Sequence, residues 1–122
     1  MVQATPFLLV LSLALAAHSL TAEKCNLTGH WKNDLGSNMT IWAVGKKGNF
    51  TALYNTSVAD NPSKIQQSPL LGFQHLTNQI DQPTFGFTVN WTFSDSITVF
   101  TGQCFVDKNG KEILKTMWLL RS

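Results

Sequence analysis

The chain lacks the groupings on which most catalysis depends. His30 and His75 stand alone, and no His, Cys or carboxylate spacing fits a metal ion. Ser94 and Ser96 have no neighbouring base, so no nucleophile is activated. Asp95 and Asp107 sit in turn sequences, where Asp is a turn former. Neither an enzyme nor a catalytic cofactor is expected. Charge is sparse as well: 13% of residues are charged, and the formal net charge is +2. No basic run exceeds Lys46-Lys47, which excludes the clustered footprint of a nucleic-acid binder. No apolar run after the first 22 residues is long enough to cross a membrane as a helix. No linker, internal repeat or low-complexity tract divides the chain, and 122 residues suit one domain.

What is present begins with an apolar leader. Residues 7–17 form an unbroken run of eleven, ten of them apolar and one serine. The run is too short to span a bilayer and precedes Leu20-Thr21-Ala22, a small-residue cleavage sequence. No Lys or Arg stands ahead of it, so only the amino terminus supplies positive charge. The reading is a secretory signal peptide over 1–22, against the blander reading of a buried core helix. The product is then secreted to the extracellular space as residues 23–122. Its two cysteines, Cys25 and Cys104, read in an oxidising compartment as one disulfide. Two separate buried thiols are the other reading.

Turn signals recur at short intervals, at Gly36, Gly48, Pro62, Pro83, Asp95 and Asn109-Gly110. Between them lie short β-branched and aromatic runs, the pattern of an all-β meander, sandwich or barrel. Strands are predicted over 29–33, 38–44, 48–57, 70–77, 84–93, 96–105 and 111–121. The clearest is 84–93. Phe85, Phe87, Val89, Trp91 and Phe93 alternate there with Thr84, Gly86, Thr88, Asn90 and Thr92. That period of two requires a strand with one apolar face. Asn109-Gly110 predicts a hairpin turn with positive φ.

Five sequons are present, at Asn26, Asn38, Asn49, Asn55 and Asn90, as in a secreted glycoprotein. A glycan must face outward, so their parity sorts each strand into two faces. The inner set then holds Asn33, Ser37, Tyr54, Thr56, Ser94, Ser96 and Thr98. Beside them stand Trp91, Phe93, Phe100, Trp118 and Leu120. Seven polar side chains among aromatics are too many for a dry core, since an unpartnered buried hydroxyl costs about 1–3 kcal/mol. They satisfy one another, hold water, or line a small-molecule pocket. Trp31 reads as a core plug, and Trp42 as an outer-face residue. Met117 and Leu119 oppose Trp118 and Leu120, which places them outside, as a subunit interface or as scattered surface residues.

Four segments carry a resemblance. Residues 29–40 read GHWKNDLGSNMT, 83–91 PTFGFTVNW, 99–104 VFTGQC and 115–122 KTMWLLRS. In these the chain resembles the avidin family, over essentially all of the predicted mature region. The resemblance implies an antiparallel up-and-down β-barrel of eight strands, a homotetramer, and biotin as non-covalent ligand in the barrel mouth. By position, Asn33, Ser37 and Tyr54 match the donors to the ureido oxygen. Thr56 matches the acceptor for a ureido N–H, and Thr98 the hydroxyl beside the ring sulfur. Ser94 and Ser96 match part of the carboxylate site. Trp91, Phe93, Phe100 and Trp118 match the aromatic box, to which Leu35, Val58 and Leu120 add lining. Cys25 and Cys104 match the family disulfide, and Asn38 its glycan site.

Two departures stand out. Ala59-Asp60-Asn61 replaces a Thr-Ala-Thr loop over the ligand carboxylate, which predicts weaker holding of the free acid at Asp60 and Asn61. The sequence also ends at Ser122, after about seven strands, so the family's eighth strand is expected to be missing. Two other functions follow from these and related features. One is a truncated paralogue with little biotin affinity, acting as a structural or decoy protein. The other is a lipocalin-like carrier, for which Gly29-His-Trp31 is three residues of support; a retinoid or fatty-acid pocket would not need so many inward donors.

Overall fold

The computed structural model describes residues 24–57, 65–76 and 81–122. The predicted leader over 1–22 lies outside the described residues, as do Val58, Ala59, Asp60 and Asn61. Seven strands follow one another: β1 (Gly29–Lys32), β2 (Asn38–Ile41), β3 (Asn49–Ser57), β4 (Ile65–Gln74), β5 (Thr84–Asn90), β6 (Ile97–Val106) and β7 (Glu112–Arg121). They form one sheet in sequence order, with every neighbouring pair antiparallel. The result is the half-barrel of an up-and-down meander, one of the all-β arrangements the turn spacing allowed and the kind the resemblance implied. Among the described residues, β1 and β7 each keep one edge without a strand partner.

Alternation decides which face is buried. Phe85, Phe87 and Val89 of β5 are buried, while Thr84, Thr88 and Asn90 between them are exposed. Full burial of such side chains contributes about 1.5–3 kcal/mol each. A slip of one residue in the β5–β6 register would turn all three into water, so this burial also fixes the register. Ile41, Phe50, Ala52 and Leu70 complete the same face from β2, β3 and β4. Trp31 packs against this core half-buried, and its indole N–H donates to the Leu27 carbonyl at 2.8 Å.

The segment ahead of β1 ties the two ends of the meander together. Cys25 forms a disulfide with Cys104 of β6, with their Cα atoms 5.7 Å apart and both residues buried. The Cys25 N–H donates to the Asp81 carbonyl at 2.8 Å, and the Asn26 N–H donates to Glu112 Oε2 at 2.6 Å. The segment ahead of β1 is thereby fixed to β6 and β7, although β1 and β7 do not pair.

Every strand differs from its predicted range at one end or both, and three of these boundaries have a reason in the hydrogen bonding. β4 begins at Ile65, five residues before the predicted 70, because β3 pairs along its whole length and recruits Gln66, Gln67 and Ser68. Pro69 is tolerated within it, and the ladder to β5 begins at the next residue, Leu70. β5 ends at Asn90, three residues early. There the Thr92 N–H donates to Ser68 Oγ at 3.1 Å and Thr92 Oγ1 donates to the Gln67 carbonyl at 2.8 Å, so the chain bends instead of extending. β2 stops at Ile41, though the Trp42 N–H still donates to the Thr51 carbonyl at 3.1 Å. The last hairpin also differs in its chemistry. Asn109 has no positive φ; Gly110 alone takes it, at 80°. The Asp107 carboxylate organises the turn by accepting the N–H groups of Asn109 and Lys111 at 2.9 and 2.8 Å.

The sequon asparagines lie off the buried face. Asn26, Asn49 and Asn90 are exposed. Asn38 and Asn55 are half-buried register partners, and Asn55 Nδ2 donates to Asn38 Oδ1 at 2.8 Å. The outer face is otherwise rich in exposed apolar side chains, among them Trp42, Leu71, Phe73, Val99, Met117 and Leu119.

Candidate functional site

The site begins in the turn between β1 and β2. Gly36 takes a φ of 89° there, which lets the chain fold back on Asn33. The Asn33 side-chain oxygen accepts two backbone N–H groups, from Leu35 and Ser37, each at 3.0 Å. Those two bonds settle the orientation of the amide. Its nitrogen is left to point inward, where it donates to the Tyr54 hydroxyl oxygen at 3.3 Å. Ser37 is buried beside them. Three donor-bearing side chains from β1–β2 and β3 are thus brought to one place.

Tyr54 also anchors an aromatic array. Its ring meets Trp91 edge-on, with centroids 5.3 Å apart and planes at 83°. It lies stacked against Phe100 at 6.1 Å, and Phe100 stacks on Phe87 at 4.8 Å. Trp91 continues the array to Phe93 at 5.7 Å. Edge-on and offset contacts of this kind fix ring orientations beyond simple burial. Burial pushes the Tyr54 phenol above its ordinary pKa, and the Asn33 donor offsets part of that rise.

Polar groups punctuate the same face. The Trp91 indole N–H donates to Thr98 Oγ1 at 2.7 Å. Thr56 Oγ1 is buried with no hydrogen-bond partner among the described residues. Ser94 and Ser96 sit in the β5–β6 turn, where Ser94 Oγ donates to Ser96 Oγ at 3.0 Å. A cavity of about 460 Å³ opens beside this array. Asn33, Ser37, Tyr54, Phe87 and Phe100 line one side of it, and residues of β7 line the other.

Direct contacts therefore join Asn33, Tyr54, Trp91, Phe93, Thr98 and Phe100. Trp118 and Leu120 occupy the predicted face, opposite Phe100 and Thr98 in register, but Trp118 is 61% exposed, since no described residue covers that part of β7. Leu35 stands in the turn at 86% exposure and makes no part of the cavity wall. Several wall residues escaped sequence reasoning. Phe87 shares parity with Trp91, so the alternation already held the signal for it. Lys111, Glu112, Ile113, Leu114 and Thr116 carried none; they reach the cavity only because the last hairpin folds β7 back along β6. Among the described residues, no cluster of three or more His, Cys, Asp or Glu could hold a metal ion.

Chemically, the donors of Asn33, Ser37 and Tyr54 stand beside the rings of Tyr54, Trp91 and Phe100, and the adjoining cavity also carries Lys32, Asp34, Lys111 and Glu112 on its wall. Among the described residues the site holds no activated nucleophile. Comparison with known proteins agrees with this geometry. The family model described as Avidin family matches residues 21–122. The chain is 68% identical to Avidin-related protein 4/5 of Gallus gallus, covering 94% of this chain and 75% of that protein. It is 65% identical to Avidin of Gallus gallus, covering 94% of this chain and 76% of that one. The solved X-ray structure of a biotin binding protein from chicken superposes with a TM-score of 0.72 at 54% identity, covering 81% of each chain. With family model, relatives and solved structure all in agreement over most of its length, the chain belongs to the avidin family.

Proposed function

We propose that this chain is a secreted, non-catalytic protein that sequesters biotin non-covalently in the half-barrel. The carrying observation is the donor group of Asn33, Ser37 and Tyr54 set against the Tyr54–Trp91–Phe100 array. A urea carbonyl placed among those donors is polarised toward an oxyanion, which favours a urea over an ester or a fatty chain. The unpartnered Thr56 hydroxyl accepts one ureido N–H. Thr98 lies beside the ring sulfur, and Ser94 and Ser96 meet the carboxylate. Phe93, Trp118 and Leu120 close on the bicyclic ring; Leu35, Val58, Asp60 and Asn61 are assigned to the same ligand by the family resemblance alone. Biotin is the bound ligand here and not a cofactor.

Calorimetric titration of the secreted chain with biotin tests this reading. One biotin per chain is expected, and Tyr54→Phe should weaken it about tenfold through one lost hydrogen bond. No heat at micromolar biotin would remove the proposal. The exposure of Trp118 and Leu120 favours a second reading, in which the chain binds weakly because part of its inner face stays wet. A dissociation constant above the micromolar range with an intact fold would select it. The exposed Val99, Met117 and Leu119 on neighbouring outer strands support a homo-oligomer, a tetramer on the family pattern. Sedimentation analysis would show a single monomeric species if that part is wrong.

A further inference from the structure

We infer that Asn49 carries an N-linked glycan whose first N-acetylglucosamine packs against Phe73, so that carbohydrate covers this corner of the outer face. The inference rests on the secretory reading above, since N-glycan transfer needs that route. Asn49-Phe50-Thr51 is a sequon, and Asn49 opens β3. Phe50 is 3% exposed, and alternation along the strand turns Asn49 to the opposite, solvent side. Phe73 of β4 is the register partner of Asn49 and stands 64% exposed. The Gln74 N–H donates to the Gly48 carbonyl at 2.8 Å, so Gly48 and Gln74 face each other as the hydrogen-bonded pair. Asn49 and Phe73 are then the pair without mutual hydrogen bonds, in which facing side chains come closest. Cβ atoms in such a pair lie about 4.5–5.5 Å apart.

The other flank of Asn49 is open. Gly45 stands there, and its N–H donates to the Asn49 carbonyl at 2.7 Å. A Cβ on residue 45 would press on the Asn49 amide, 3.1 Å from Nδ2. Glycine leaves that room. Among the described residues no hydrogen bond engages the Asn49 side chain. The other sequons differ. Asn38 and Asn55 bond to each other, and Asn26 Oδ1 accepts the Thr28 N–H at 3.1 Å. Asn90 is exposed, but its register partner is Ile97 and not a ring.

A pyranose presents a face of C–H groups, and the face of a phenyl ring carries the negative part of its quadrupole. The two attract, and their contact takes apolar area out of water. Leu71 lies two residues from Phe73 on the same face of β4 and is 67% exposed. Left bare, the two form an apolar patch that invites association. A glycan on Asn49 hides the ring, and its hydroxyls keep this corner hydrated.

The test secretes the full chain from a eukaryotic cell and maps its glycans by mass spectrometry of peptides. A glycan on Asn49 in most chains is expected. Trimming to one sugar per site then leaves the N-acetylglucosamine for proton NMR. Its signals should be displaced upfield by the Phe73 ring and return to ordinary positions in Phe73→Ser. A bare Asn49 beside glycans on other sequons overturns the inference and leaves the secretory reading intact. A chain that stays inside the cell without any glycan overturns both. Sugar signals that do not move in Phe73→Ser overturn the packing. Should Phe73→Ser fail to fold, Thr51→Ala, which removes this sequon alone, decides. A severalfold rise in binding of a hydrophobic dye supports the contact; binding equal to that of the unsubstituted chain overturns it.

Discussion

Asn33 faces two ways at once: its oxygen caps the N–H groups of Leu35 and Ser37, while its nitrogen donates to Tyr54 Oη at 3.3 Å. One amide thus builds the turn and supplies the site. Asn33→Asp separates these roles. A carboxylate still accepts the two turn N–H groups, so the fold should persist by circular dichroism. It offers no donor to a ligand carbonyl and places an anion beside the ureido oxygen. Biotin affinity should fall about ten- to a hundredfold, the range for losing a hydrogen bond and gaining an unfavourable charge. Unchanged affinity would show that Asn33 serves only the turn.

Tyr54 is the only tyrosine in the chain, so its ionisation can be followed without ambiguity. Burial raises its pKa, and the neutral phenol is the form that the fold favours. The associated stability is fully present below the ordinary phenol value of about 10 and is lost as pH rises through the folded value. Alkaline absorbance titration should give a midpoint above that of the denatured chain. Asn33→Ala should move it higher still, because the Asn33 donor lowers it. A native midpoint at or below the denatured one would contradict the burial of this ring.

Gly72 of β4 lies where no side chain fits. A Cβ there would stand 2.6 Å from both Phe50 Cζ and Phe87 Cβ, and against the Gly86 carbonyl oxygen. The carbonyl belongs to the neighbouring strand and cannot yield cheaply. Gly72→Ala should therefore cost about 1–3 kcal/mol, read as a lower denaturant midpoint. A midpoint equal to that of the unsubstituted chain would mean that β4 and β5 are further apart than described.

The Cys25–Cys104 bond spans 79 residues of sequence. On the chain-entropy model a loop of that size stabilises the fold by roughly 4–5 kcal/mol. The bond also fixes the segment ahead of β1 to β6, where no strand pairing does so. Replacing both cysteines by serine should remove most of that stability and loosen the end of the sheet next to Glu112. A loss below about 1 kcal/mol would show that the Asn26–Glu112 and Cys25–Asp81 hydrogen bonds suffice alone.

Much of this arrangement is local and could be read residue by residue. The alternation in β5 identified Phe85, Phe87 and Val89 as buried without any knowledge of their partners. Sequon parity placed Tyr54 on the inner face, because β3 runs unbroken from Asn49 through Asn55. Parity failed to guarantee Phe93, since the bend at Trp91 depends on Ser68, a hydroxyl 24 residues away in sequence. The start of β4 was hidden for the same reason: its polar residues are strand only because β3 lies beside them. The β7 wall of the cavity depends on a hairpin folding back, which no single segment announces.

Tryptophan fluorescence during titration of the secreted chain with biotin tests the central claim most directly. Trp91 stands in the aromatic array, and Trp118 of β7 is the register partner of Phe100 in that array. Saturable quenching at one biotin per chain, with half-saturation moved to about tenfold more biotin in Tyr54→Phe, is the predicted result. A folded chain whose emission does not change at micromolar biotin would contradict it.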